Sequence, residues 1–396
     1  FGTRARFFLL VLVLICLTSI WCEVLYLSLT SLSLTPSLSL FLSLSLSQPT
    51  FPSAAQVSLS ISVAAAAALL FNVPVVGAVN RLGIRTVFAT LGLISGIATL
   101  FMPAAIKNLQ LGFYWLLVCR FFQGVGFAAN FPVIGAFCAK WTYYKQTGMF
   151  VSFLVAYVQL APAVTDLVSG PLCSISWEAI FYAHGSLSIG LFLSYLAMYR
   201  NSPARHPFVG DVELSKISRN KAALDKKGTR IPYGAILLTP AVWAVWSGAI
   251  GNFFAVNLLF LYSPAYFSKT LHMDTKHSAL NSAMPALLEF FIKLACGAIS
   301  DRIRCVSEVN KFRVFNSVAF FGGAICFVAL AFTGAEDTTL NVVLLTAAAA
   351  ILGVTTGGFF KAAPVLSKQY SHFVTGNISL LLTLTMLIVP IVVSNL

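Results

Sequence analysis

Charge is scarce in this chain. Only 9% of its 396 residues are Asp, Glu, Lys or Arg, and just 12 are acidic. A soluble domain carries roughly 25% charge. So few charges cannot cover a water-facing surface, and 58% apolar content is too high for a disordered chain. Histidine is also rare. His184, His206, His272, His277 and His372 never pair on one helix face inside an apolar run, so no metalloenzyme spacing is present. The eight cysteines form no CxxC pair and sit mostly in apolar runs. They read as small apolar packers, with neither a disulfide framework nor a zinc site. No nucleophile–base pair stands at membrane depth, so the chain does not read as an enzyme.

Apolar runs long enough to cross a bilayer are what the chain has in quantity. They fall at about 7–27, 57–79, 86–106, 111–138, 148–170, 179–199, 234–264, 279–299, 313–333, 339–360 and 373–396. The pattern predicts an all-α polytopic membrane protein of about eleven spans. A transmembrane barrel does not fit, because the runs are too long and do not alternate.

The net charge of +13 points first to nucleic acid. The positions of the charges remove that reading. With the N-terminus in the cytoplasm, all but five of the 25 basic residues fall in cytoplasmic segments. The exceptions are Lys107, Lys269 and Lys276 outside, and Arg120 and Lys293 within spans. This is the positive-inside asymmetry. It predicts a multi-pass protein of a plasma or vesicle membrane, its surface covered by the lipid bilayer, with no nucleic-acid partner.

Three regions follow: an N-terminal bundle at 1–200, a cytoplasmic linker at 201–233 and a C-terminal bundle at 234–396 with a twelfth span missing. The basic stretch 200–232 reads as a solvated loop rather than a lipid-headgroup site. Residues 27–48 alternate Leu and Ser, formally a strand pattern, and read as a low-complexity insert without function. The first residue is Phe1 and the last span ends at Leu396, so the chain reads as a fragment. The opening Arg-x-Arg is a weaker match to a signal peptide, because the topology needs an inside start.

A basic, glycine-led turn occurs once per half. Gly77-Ala-Val-Asn80-Arg81-Leu-Gly83-Ile-Arg85 joins spans two and three, and Gly297-Ala-Ile-Ser-Asp301-Arg302-Ile-Arg304 joins spans eight and nine. Two repeats of six helices around a midplane site are a transporter architecture. In these turns Gly77 would allow close helix packing, and the arginines would brace helix C-terminal carbonyls to hold an inner gate shut. Plain topogenic charge is the simpler reading of the same residues.

These turns resemble the loop between spans two and three of the major facilitator superfamily, with Asn80 near the position of its aspartate. The fourth span is also similar to that superfamily: Arg120-Phe-Phe-Gln123-Gly124-Val-Gly126-Phe127-Ala-Ala-Asn130-Phe-Pro132, then Lys140-Trp141. An arginine at membrane depth needs an acceptor. An anionic substrate would supply one, and backbone carbonyls would supply another.

A narrower resemblance is to solute carrier family 17, the anion:cation symporters. It rests on the span-four spacing, on Trp177-Glu-Ala-Ile-Phe181-Tyr182-Ala-His-Gly185, and on Asn201-Ser202-Pro203-Ala-Arg-His206-Pro207. The resemblance implies a secondary transporter of small anions, working as a monomer without a cofactor, coupled to protons or sodium. It places Arg120 at the substrate; Asn252 in span seven is a second substrate-binding candidate. Phe127 stands where that family often carries a coupling glutamate, and span seven lacks the arginine of the glutamate carriers.

Other ionisable groups in spans are few. Glu289 and Lys293 share a face of span eight at i and i+4, ordered favourably. They either neutralise each other or make Glu289 a coupling carboxylate, and Lys293 is also near enough to the cytoplasm to snorkel. Asp166 and Glu23 are further coupling candidates. The sequon at Asn377 lies in a span and is discounted. A non-transporting protein of the same fold is the competing reading, favoured by Asn80, Phe127 and the missing span.

Overall fold

The computed structural model describes residues 4–33, 54–107, 111–173, 176–218, 231–271, 275–334 and 336–394. The described residues form helices and short turns only. The first half contains α1 (Ala5–Ser33), α2 (Ala54–Leu82), α3 (Ile84–Lys107), α4 (Gly112–Phe127), α5 (Asn130–Trp141), α6 (Thr147–Val155), α7 (Tyr157–Cys173) and α8 (Trp177–Met198). The linker adds α9 (Asp211–Ser218). The second half contains α10 (Tyr233–Leu237), α11 (Pro240–Ala265), α12 (Thr275–Arg302), α13 (Glu308–Phe332), α14 (Thr338–Leu352), α15 (Phe359–Ser367) and α16 (Ser371–Ser394).

Nine stretches of the described residues are long and apolar enough to cross a membrane. One of them, Thr338–Val389, has 52 residues and would extend about 78 Å as a single helix, far beyond a bilayer core. It doubles back at Lys368, a residue with a left-handed backbone (φ 45°). With α12 counted, the eleven expected spans are present. The chain is a multi-pass membrane protein.

Three spans are broken, the fourth, the fifth and the tenth, and one break has a clear cause. The fourth span divides at Ala128–Ala129 into α4 and α5. Pro132 lies one turn further on and has no N–H to give the Ala128 carbonyl, which opens the helix there. Upstream of the break, a side chain on Gly124 would collide with the Ala64 backbone of α2, so only glycine allows that approach.

Three expectations change. The Leu–Ser run does not start as a strand: α1 continues through it to Ser33. The rest of the run, like the missing-span question, lies outside the described residues. The linker is not wholly solvated either. Glu213 on α9 is 2% exposed and accepts the Ala5 and Arg6 backbone N–H groups, each at 3.3 Å, with Arg6 Nε at 3.6 Å. This pins α9 to the start of α1, where a carboxylate meets the unpaired amides of a helix N-terminus. Finally, nothing lies within 4 Å of where a Gly77 side chain would begin, so Gly77 marks no close helix contact.

The two halves meet along two seams. In one, α16 packs against α2 and α5: Asn72 Nδ2 donates to the Gly376 carbonyl at 2.9 Å, and Ser371 Oγ donates to the Gly135 carbonyl. In the other, α12 packs against α6 and α7, with Gly297 against Ser152 and the Gly148 carbonyl. At both seams the helices touch near the face that carries the basic loops.

Candidate functional site

Arg120 is completely buried, about 12 Å along α4 from Gly112. Its Nη1 donates to the Glu23 carbonyl at 3.3 Å and to Gln123 Oε1 at 2.9 Å, and its Nη2 donates to the Val24 carbonyl at 3.0 Å. Gln123 is fixed in turn by donating to Thr99 Oγ1 at 2.7 Å. Of the two acceptors open in the sequence, the structure places backbone carbonyls at Arg120. It fastens α1 to α4, and a substrate would have to displace those carbonyls to reach it. Gly126 sits 3.0 Å from Ser95 for an added side-chain carbon, so it serves packing against α3. Glu23 bonds Ser95 from α1, and Trp21 stacks on Phe127 with centroids 4.6 Å apart. An aromatic pair therefore occupies the place of the expected carboxylate.

Glu289 and Lys293 lie between the halves. Lys293 Nζ is 2.9 Å from Glu289 Oε1, and both side chains are at most 1% exposed. Lys293 does not snorkel. The same Oε1 accepts Gln159 Nε2 from α7 at 3.0 Å, so a residue of the first half is bonded to the ion pair of the second. Gln159 is about 18 Å along its span from Thr147, and Glu289 about 20 Å from Arg302, which puts both near mid-membrane. Sequence reasoning missed Gln159; its signal was an amide inside an otherwise apolar span.

An aromatic floor and a short turn complete the centre. Phe131 of the first half lies 5.9 Å from Phe253 and 6.3 Å from Phe360, ring centre to ring centre. Lys293 Nζ is 5.8 Å from the Phe360 centroid. Asn252 Oδ1 accepts Thr355 Oγ1 at 3.3 Å, and Thr356 Oγ1 donates to the Lys293 carbonyl at 3.0 Å. Asn252 and Lys293 thus flank the same turn at Gly353–Gly357. Asp166 is on α7, but its side chain lies outside the described residues.

The second basic turn reaches across the halves. Asp301 accepts the backbone N–H of Gly148 at 3.1 Å and of Met149 at 2.8 Å, and pairs with Lys361 at 2.9 Å. Lys361 also pairs with Glu308 at 3.2 Å. The first turn does not cross. Asn80 and Arg81 are exposed, while Arg85 donates to the Leu196 carbonyl at 3.0 and 2.8 Å within the first half. Arg302 is exposed. The family-like residues further on do meet: Trp141 Nε1 donates to the Tyr199 hydroxyl at 3.0 Å, and its ring packs edge-on against His206.

The family model described as Major Facilitator Superfamily matches residues 7–391. The chain belongs to the major facilitator superfamily. Among curated relatives, sodium-dependent phosphate transport protein 1 of Rattus norvegicus is 26% identical over 294 residues, covering 73% of this chain and 62% of its own length. Sialin of Homo sapiens is 24% identical over 316 residues, covering 78% and 62%. The chain thus spans about three fifths of these relatives. They bear out the resemblance to solute carrier family 17. As a fold, this facilitator matches the proton:xylose symporter XylE with a TM-score of 0.74 at 15% identity, covering 100% of this chain and 90% of that one. It also matches a bacterial homologue of the iron transporter ferroportin with a TM-score of 0.72 at 12% identity, covering 98% and 91%. These are transporters, not enzymes.

Proposed function

We propose that the protein is a secondary active transporter of small organic or inorganic anions. The two bundles would rock about the mid-membrane centre, exposing it to each side in turn. The observation that carries this reading is the buried Glu289–Lys293 pair, bonded across the bundle interface by Gln159. Polar groups at that depth are costly and are found where a pathway needs them. The positive-inside rule supports a cytoplasmic basic face, and the closed seams there support a state shut toward the cytoplasm. The similarity to phosphate and sialin-type carriers supports an anion as cargo. Symport with protons or sodium is part of the proposal.

The test is uptake by the full chain in proteoliposomes. Labelled inorganic phosphate, sialic acid, glutamate and urate are offered under imposed pH, sodium and voltage gradients. Saturable uptake of at least one anion above empty vesicles is the expected result. Uptake of none defeats the reading.

A further inference from the structure

Resting on that reading, we infer that Lys293 is the counter-charge for the transported anion and that Glu289 takes up one proton when the anion binds. Three observations lead there. The pair sits on the interface that must open, not inside one bundle as Arg120 does. Three buried polar atoms of this centre have no hydrogen-bond partner: Glu289 Oε2 and Gln159 Oε1 at the ion pair, and Asn252 Nδ2 on the other side of the Gly353–Gly357 turn. Each such atom is destabilising until something polar meets it. They come from α12, α7 and α11, so a small oxyanion with a hydroxyl or protonated oxygen satisfies donor and acceptors from both halves. Lastly, the cation faces the Phe360 ring, part of the aromatic floor joining the halves.

Charge balance then fixes the coupling. Empty, the site holds Lys293 as a cation and Glu289 as an anion, net zero. A carboxylate or phosphate monoanion that pairs with Lys293 would leave a net negative charge at mid-membrane. An uncompensated charge at that depth is strongly unfavourable. One proton from water on the open side, bound to Glu289, restores net zero. It leaves with the anion on the other side, when Glu289 recovers Lys293. No electron or other bond changes hands. Protonation also removes the charge that holds Gln159, so loading would loosen the link between bundles. The other charged or titratable groups on elements packed against α12 are Tyr157 and Asp166 on α7, Tyr262 on α11, Lys361 on α15, Tyr266 and Lys269 at the far turn, and Tyr144 and Lys145 at the basic face. Tyr157 is fully buried, with its ring edge-on to Phe131, and Lys361 is held by Asp301 and Glu308.

The test uses inorganic phosphate and sialic acid as probes on the full chain. In weakly buffered detergent, adding either transported probe to the unaltered protein should take up about one proton per anion bound. In vesicles, Glu289→Gln should abolish the response to a pH gradient and make uptake follow membrane potential instead. Lys293→Met should cut uptake at least tenfold. The double variant Glu289→Gln/Lys293→Met removes both buried charges; it should melt within a few degrees of the unaltered protein and carry neither probe. Binding without proton uptake overturns the inference. So does pH-driven uptake that survives Glu289→Gln, or Lys293→Met uptake within twofold of normal. Failure of the unaltered chain to carry any anion instead defeats the transporter reading, and this inference with it.

Discussion

The turn at 77–85 fastens within its own bundle: Arg85 bonds Leu196, its backbone N–H bonds Asn201 Oδ1 at 3.0 Å, and Asn80 faces outward. The turn at 297–304 fastens across the interface, through Asp301 to the first amides of α6 and to buried Lys361. Both turns are glycine-led and basic, but the polar residue differs in type and in place: Asn80 stands three residues after Gly77, and Asp301 four residues after Gly297. A carboxylate accepts amides at a helix N-terminus and a lysine at once. Asn80 lacks the charge to do so. The matching seam of the first half therefore relies on a neutral bond, Asn72 to the Gly376 carbonyl. The bond at Asp301 on the basic face is thus charged, whereas the Asn72 and Ser371 bonds of the other seam are neutral.

The largest break in that asymmetry is expected from Asp301→Asn. It leaves Glu308 as the carboxylate paired with Lys361, beside the Ser300 oxygens, and weakens two amide bonds. Breaking a buried pair costs about 3–5 kcal/mol. Part is recovered by opening, so the basic face should spend on the order of 100-fold more time open. An engineered Ser152→Cys, fully buried at this seam, reports it. The cysteine should resist a membrane-impermeant thiol reagent in the unaltered background and react in the Asp301→Asn background. Equal reactivity would remove Asp301 as the latch. Gly297→Ala comes next. Its added carbon meets Ser152 and lies 2.7 Å from the Gly148 carbonyl, which cannot yield as a side chain can. A cost of about 1–3 kcal/mol against the closed state is expected from overpacking, read as intermediate labelling of the same cysteine.

How much of this was legible in the sequence depends on what kind of partner each residue found. Spans were legible because length and hydropathy alone satisfy a bilayer. Residues 27–33 of the Leu–Ser run are helical despite their period-two pattern, because a membrane segment closes its backbone hydrogen bonds as a helix whatever its side-chain period. The Glu289–Lys293 pair was legible because both partners lie on one helix. Gln159 was not, since its partner is 130 residues away on another element. Arg120 announced that it needed acceptors, and Gln123 one turn on is one of them, but the other two are backbone carbonyls of α1, which carry no side-chain identity to read. Gly77 and Gly297 occupy equivalent places in the two turns, yet only Gly297 touches the opposite bundle.

Gly83→Ala tests the first turn on its own terms. Gly83 holds φ 79°, and an added carbon would lie 2.7 Å from Asn201 Cγ. Left-handed strain and the displaced Asn201 together cost about 1–3 kcal/mol. The effect should appear as a lower melting temperature of the purified protein with unchanged Ser152→Cys labelling, because this turn stiffens one bundle and does not join two. Labelling that rises with Gly83→Ala would mean the first turn also gates.

The smallest effects separate charge from position. Gly77→Ala should change stability by less than about 0.5 kcal/mol, the usual range for open surface sites. Asn80→Asp puts an acid into the first turn at an exposed position, one residue closer to its glycine than Asp301 is in the second. Exposed pairs contribute about 0–1 kcal/mol, so melting and labelling should both stay near those of the unaltered protein at physiological salt. If Asn80→Asp instead protects Ser152→Cys in the Asp301→Asn background, the first turn has kept the geometry of a latch and lost only its charge. If it does not, the divergence lies in how the turn packs, and one substitution cannot reverse it.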